Sequence, residues 1–196
     1  MSDMPFSDNA RLRWLRWWCI DSWLTADKSW RYAAFYDLDE ARLSALARTH
    51  HKQICQQLKL DNKVAPVDAE ILAWLELTMS QRQLAMLLAA EVCWRDCALA
   101  LLEPTQQRWC RRIAQGLRPG LWLTQATDLP ASCPDLKSLW LLRLRAGPEC
   151  WQRLRLAFNA ERVNQMEKLH HIETFPERLR PLWQAVLWYA RQECPC

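Results

Sequence analysis

The sequence predicts an all-α fold, a compact multi-helix domain of roughly seven to nine helices, on three observations. Glycine is nearly absent: only Gly116, Gly120 and Gly147 occur in 196 residues, too few for the turns of a strand-rich fold. Leu, Ala, Arg, Gln and Glu dominate instead, and all are good helix formers. Apolar positions recur at helical spacing between prolines and capping residues. A hydrophobic content of 51% argues against disorder, and no linker or repeat divides the chain, so residues 1–196 read as a single helical domain.

Each element has its own signal. Ser7 or Asp8 is placed to cap a first helix running to about Leu24. Residues 27–30 break it, and a short helical turn follows. The stretch 37–60 opens with Asp37 three residues before Glu40, a capping-box spacing, and Leu43, Leu46, Ala47, Ile54 and Leu58 keep the helical period. Residues 61–66 are a loop, and 67–77 start a helix just after Pro66. Ser80 and Gln83 form a second box, opening the most apolar helix, which ends near Leu102. Residues 105–116 are a helix that Gly116 is placed to stop as a left-handed cap. Residues 117–135 are irregular.

In 139–145 leucines and arginines alternate with period two, as in a strand. Trp140, Leu141 and Leu144 nevertheless share one helical face, and a helix over 136–147 is the better reading. Pro148 then restarts a helix with the reach to extend to His171. Thr174 and Glu177 form a third box, opening a last helix in which Pro181 is a candidate kink.

The charge excludes some functions. With 26 basic and 22 acidic residues the net charge is +4, far from that of a dedicated nucleic-acid binder. Six of the basic residues are Lys and the rest Arg, which reflects either coding bias or use at interfaces. The nine cysteines are odd in number and irregular in spacing, and no signal-like segment opens the chain, so thiols in a reducing cytoplasm are expected. No apolar run reaches the roughly 18 residues of a membrane span; the longest, 84–94, contains Glu91.

No catalytic constellation is found. His50–His51 and His170–His171 are adjacent pairs, which point about 100° apart on a helix and suit helix surfaces better than a shared ion. Cys93 and Cys97 stand at i, i+4, but a structural zinc site needs four ligands and no second pair has standard spacing. Cys194 and Cys196 end the chain. Gly116 and Gly120 lack the Lys-Ser/Thr of a phosphate loop, and no Gly-x-Ser-x-Gly elbow occurs. The expectation is a protein without enzymatic activity, cofactor or metal.

What remains is a tryptophan–arginine pattern, recurring at 11–18, 109–112, 140–145 and 151–156, among thirteen tryptophans. The first reading is a core wall with an arginine rim. The second is a docking surface, because Trp and Arg are favoured interface anchors. A membrane-surface helix needs more charge and fewer acids, and nucleic acid comes last. On the docking reading the candidate residues are Arg11, Trp14, Arg16, Trp17, Trp18, Trp140, Arg143, Trp151, Arg153 and Arg155.

Two segments resemble a known family. Residues 82–102 are similar to the Leu-rich central helix, with its charged interruption, of the type III secretion sorting-platform adaptors (SctK/YscK/PscK-like). Residues 138–158 resemble that family's C-terminal segment, in which a Trp-containing apolar stretch leads through a Pro turn to Trp, a basic residue and an Arg-Leu-x-Leu run. Here those residues are Trp140, Pro148, Trp151, Arg153, Leu154 and Leu156. Ala89, Ala90 and Glu91 stand where the family often has His-Gly, and the family's N-terminal aromatic-proline pattern is not evident in residues 5–36.

The resemblance implies a non-enzymatic adaptor at the cytosolic face of the bacterial inner membrane, without membrane insertion. Its implied partners are the cytoplasmic domain of the inner-membrane ring protein and the sorting-platform pod protein, with no nucleic acid. The alternative is a secretion chaperone or regulatory helical protein that binds a single client.

Overall fold

A computed structural model describes residues 6–30, 39–61, 63–95, 97–123, 134–169 and 176–193. Among these residues every regular element is helical and no strand occurs, as expected of an all-α chain. The chain folds into two compact units, each built from two separate stretches: Met1–Leu72 with Ala146–Val163, and Ala73–Arg145 with Asn164–Cys196.

In the first unit, α1 (Asp8–Arg16) begins because the Ser7 hydroxyl accepts the Ala10 N–H at 3.3 Å. The helix continues through a π-helical turn, Trp17–Asp21, in which the Ser22 N–H reaches back five residues to the Trp17 carbonyl. It ends as α2 (Ser22–Leu24), close to the expected Leu24. A 3-10 turn, Lys28–Trp30, occupies the expected break itself. The next helix, α3 (Glu40–Gln57), is capped by Asp39, whose carboxylate accepts the Arg42 N–H at 2.8 Å. This corrects the choice of Asp37, which lies outside the described residues. Asp68 caps α4 (Ala69–Leu75) through the Glu70 and Ile71 N–H groups at 2.9 and 3.0 Å.

The returning stretch closes this unit. It holds the end of α7 (Pro134–Leu154), a 3-10 turn over Arg155–Ala157 and the start of α8 (Ala160–Glu167). The single helix expected from Pro148 to His171 is therefore two. Phe158 is extended, and the Asn159 side chain accepts the Glu161 and Arg162 N–H groups to open α8. Hydrogen bonds tie this stretch to the first. Asp27 N–H donates to Leu156 O at 2.8 Å, and the Trp30 indole N–H to Phe158 O at 2.7 Å.

Gly147 breaks α7 at φ 68°, ψ 170°, a region open in practice to glycine alone. An added Cβ meets nothing within 4 Å, so Gly147→Ala tests the backbone alone. It is expected to lower stability by about 1–3 kcal/mol in a denaturant titration.

In the second unit α5 (Met79–Cys93) packs against α6 (Pro104–Leu117) and α9 (Pro176–Glu193), and α6 also touches α9. Ala85, Ala89 and Ala90 are fully buried on α5, and their small side chains let neighbouring helices approach closely. The capping box of α5 is Thr78 with Gln81, two residues earlier than the expected Ser80 and Gln83. Its α-helical part stops at Cys93, and a separate 3-10 turn, Leu99–Leu101, precedes Leu102. In α9 the helix runs on through Pro181. The Thr174 box falls outside the described residues.

The end of α6 also departs from expectation. The left-handed residue is Arg118, at φ 48°, and Gly116 lies inside the helix with open space around it. The sign of a substitution is thereby reversed. Gly116→Ala is expected to stabilise the chain by about 0.5–1 kcal/mol, whereas a left-handed cap at Gly116 would make it destabilising; a thermal melt decides.

Candidate functional site

The tryptophans of α1 and of the π-helical turn that follows it point inward. Spacing of three and four residues puts Ala10, Trp14, Trp17 and Trp18 on one face, and all four are buried. The three rings form a cluster with centroids 5.1, 5.6 and 5.9 Å apart. The Trp14 indole N–H donates to Ala65 O at 2.9 Å. Arg11 and Arg16 are exposed, with Asp8 at 4.0 Å and Asp21 at 3.2 Å respectively.

The other candidates are mostly internal as well. Trp140 and Trp151 are buried; Trp140 meets Trp94 at 6.1 Å, and Trp151 stacks on Phe158 at 6.4 Å. Arg143 is half-buried, with Nη1 3.8 Å from Met166 Sδ, and Arg155 lies 5.4 Å from the Trp30 ring.

Arg153 departs furthest from the expected rim. It is 1% exposed, with its guanidinium 4.0 Å over the Trp18 ring. Its Nε donates to Trp18 O at 2.8 Å and its Nη2 to Asp61 O. Burial lowers its pKa; the thiols of Cys55, Cys19 and Cys150 and the Asp61 carboxylate oppose that shift.

Trp14, Trp17, Trp18, Trp140, Trp151 and Arg153 therefore hold helices together and offer no surface to a partner. Of the ten candidates, Arg11 and Arg16 are exposed. Among the described residues the large apolar groups that reach the surface are Phe6, Leu12, Leu15, Val64, Met79, Leu101, Leu121 and Trp188, none of them among the ten candidates. On α1 they are Leu12, 66% exposed, and Leu15, 43% exposed. On α9 it is Trp188, 59% exposed, opposite the buried face of Leu179, Leu182, Trp183, Val186, Leu187 and Ala190. The sequence carried this signal, because Trp188 falls outside that helical stripe.

Cys110 and Cys55 are poorly suited to reaction. Burial pushes the Cys110 thiol up to about 12, helped by the Glu91 charge, and its Sγ lies 3.9 Å from Leu88 O. Burial also raises Cys55, against the lowering influence of Arg153, although its Sγ is 3.5 Å from His51 Nε2. A thiol held protonated is a weak nucleophile and a weak metal ligand. Cys97 lies beyond the end of α5, so Cys93 and Cys97 do not share a helical face. Among the described residues no group of three His, Cys, Asp or Glu could hold a metal ion, and no helix is long and apolar enough to cross a membrane.

The chain matches no protein-family model, curated protein or solved structure with which it was compared.

Proposed function

We propose that the chain is a cytosolic adaptor of a type III secretion (injectisome) sorting platform, joining the inner-membrane ring protein to the pod complex. The observation that carries the proposal is that each compact unit has large apolar side chains exposed on a helix whose other face is buried. The first unit presents Leu12 and Leu15 on α1, and the second presents Trp188 on α9. A linker needs separate contacts for separate partners, and exposed Trp is a favoured anchor. The resemblance of residues 82–102 and 138–158 to the sorting-platform adaptors supplies the partner classes.

The test is co-purification of the full chain with the cytoplasmic domain of the ring protein and with the pod protein. Both are expected to be retained. Trp188→Ala is expected to weaken one of the two by at least about tenfold, with the thermal melt unchanged. Retention of neither partner by the wild-type chain refutes the proposal. Capture of a single secreted client instead points to the chaperone class.

A further inference from the structure

The outer face of α1 has a composition of its own. Leu12 and Leu15 stand one turn apart and exposed, where a solvated helix would carry polar groups. Arg11 flanks them on one side and Arg13 and Arg16 on the other, all three exposed. Between Asn9 and Ile20 there is no carboxylate; Asp8 and Asp21 lie beyond the two ends. The pairs they form, Arg11–Asp8 at 4.0 Å and Arg16–Asp21 at 3.2 Å, are surface pairs of the kind that exchange readily for other acids.

We infer that this face docks an acidic amphipathic helix of a protein partner, with leucine-type side chains against Leu12 and Leu15 and Asp or Glu facing the guanidiniums. The inference rests on the adaptor reading and names the chemistry of one of its two contacts. Charge complementarity selects the occupant. Two leucines between arginines match an apolar ridge between carboxylates, and i, i+3 spacing fits helix against helix. A lipid surface fits less well, because the large apolar groups of this segment, Trp14, Trp17 and Trp18, are turned into the core. Nucleic acid would use the arginines and leave both leucines in water.

Fluorescence anisotropy of the full chain tests this. The probe is a fluorescein-labelled synthetic helix with leucines on one face and glutamates beside them. Its controls are a scrambled peptide of the same composition and phosphatidylcholine–phosphatidylglycerol vesicles. The amphipathic peptide is expected to bind, the scrambled one at least about tenfold more weakly. Leu12→Ser with Leu15→Ser, and separately Arg11→Glu, are expected to weaken binding about tenfold with unchanged melting, since all three sites are exposed and Arg11 holds only a surface pair with Asp8.

Equal binding of both peptides, binding of vesicles alone, or no binding overturns the inference. So does undiminished co-purification of the Leu12→Ser, Leu15→Ser variant with both platform partners, and that result leaves the adaptor reading standing. Peptide binding as expected, from a chain that retains neither platform protein, supports the surface and removes the adaptor reading.

Discussion

Replacing Arg153 with alanine is expected to destabilise the protein by about 3–5 kcal/mol, read as a shift in a urea titration at constant slope. The guanidinium has almost no contact with water, so it is a structural bracket. Its Nε and Nη2 satisfy the carbonyls of Trp18 and Asp61, residues far from it in the chain, and its plane covers the Trp18 ring. Alanine leaves a cavity and a buried carbonyl without its donor, each costly by itself. Arg153→Met separates the two effects. It refills most of the volume, removes a desolvated charge and leaves the carbonyls bare, so its cost is expected to be about 1–3 kcal/mol. Should alanine cost less than methionine, the bracket is not what holds this unit.

Trp14→Ala is expected to cost about 3–5 kcal/mol, the range for emptying a large aromatic site in a core. Trp14 is 1% exposed, lies within 5.6 Å of two neighbouring indoles and bonds to Ala65 O. Trp14→Phe keeps part of the ring contact but loses the N–H and the second ring of the indole, for an expected cost of about 1–3 kcal/mol, below that of alanine. Urea unfolding of both variants, followed by far-UV circular dichroism, checks the order. Equal costs would mean that the phenyl ring recovers none of the packing, and that the full indole with its N–H is what fixes α1.

A third expectation concerns pH. An unfolded thiol loses its proton near pH 9, whereas Cys110 in the folded protein holds it to about pH 12 because of burial. Between those values the folded state binds more protons than the unfolded one, so stability falls as pH rises and the contribution is intact below about pH 9. Cys110→Ala should flatten part of that slope in melts taken across the alkaline range.

The class of fold was legible because it depends on local preferences summed over the whole chain. Where expectation and structure part, a distant group decides. Thr78 with Gln81 and Ser80 with Gln83 are equal as patterns; Gln81 wins by being buried, with its amide near the Arg191 carbonyl of α9. Gly116 looked like a terminus, but α6 goes one residue further and places Arg118 in the left-handed region. The inward turn of Trp14, Trp17 and Trp18 followed from their spacing. The burial of Arg153 did not, since its acceptor is 135 positions away. An arginine on a helix reads as a rim residue until the opposing carbonyl is known. The surface anchors were legible in part. Trp188 lies off the apolar stripe of its own helix, whereas the exposure of Leu12 becomes plain only once the tryptophans have claimed the inner face.

The interleaving of the two units has a consequence for biosynthesis. The segment from Ala146 to Val163, which carries Arg153, leaves the ribosome after the whole of residues 73–145. At about 5–20 residues per second, Trp18 waits several seconds for the guanidinium that covers its ring. During that interval the nascent chain displays an aromatic surface that the finished protein hides.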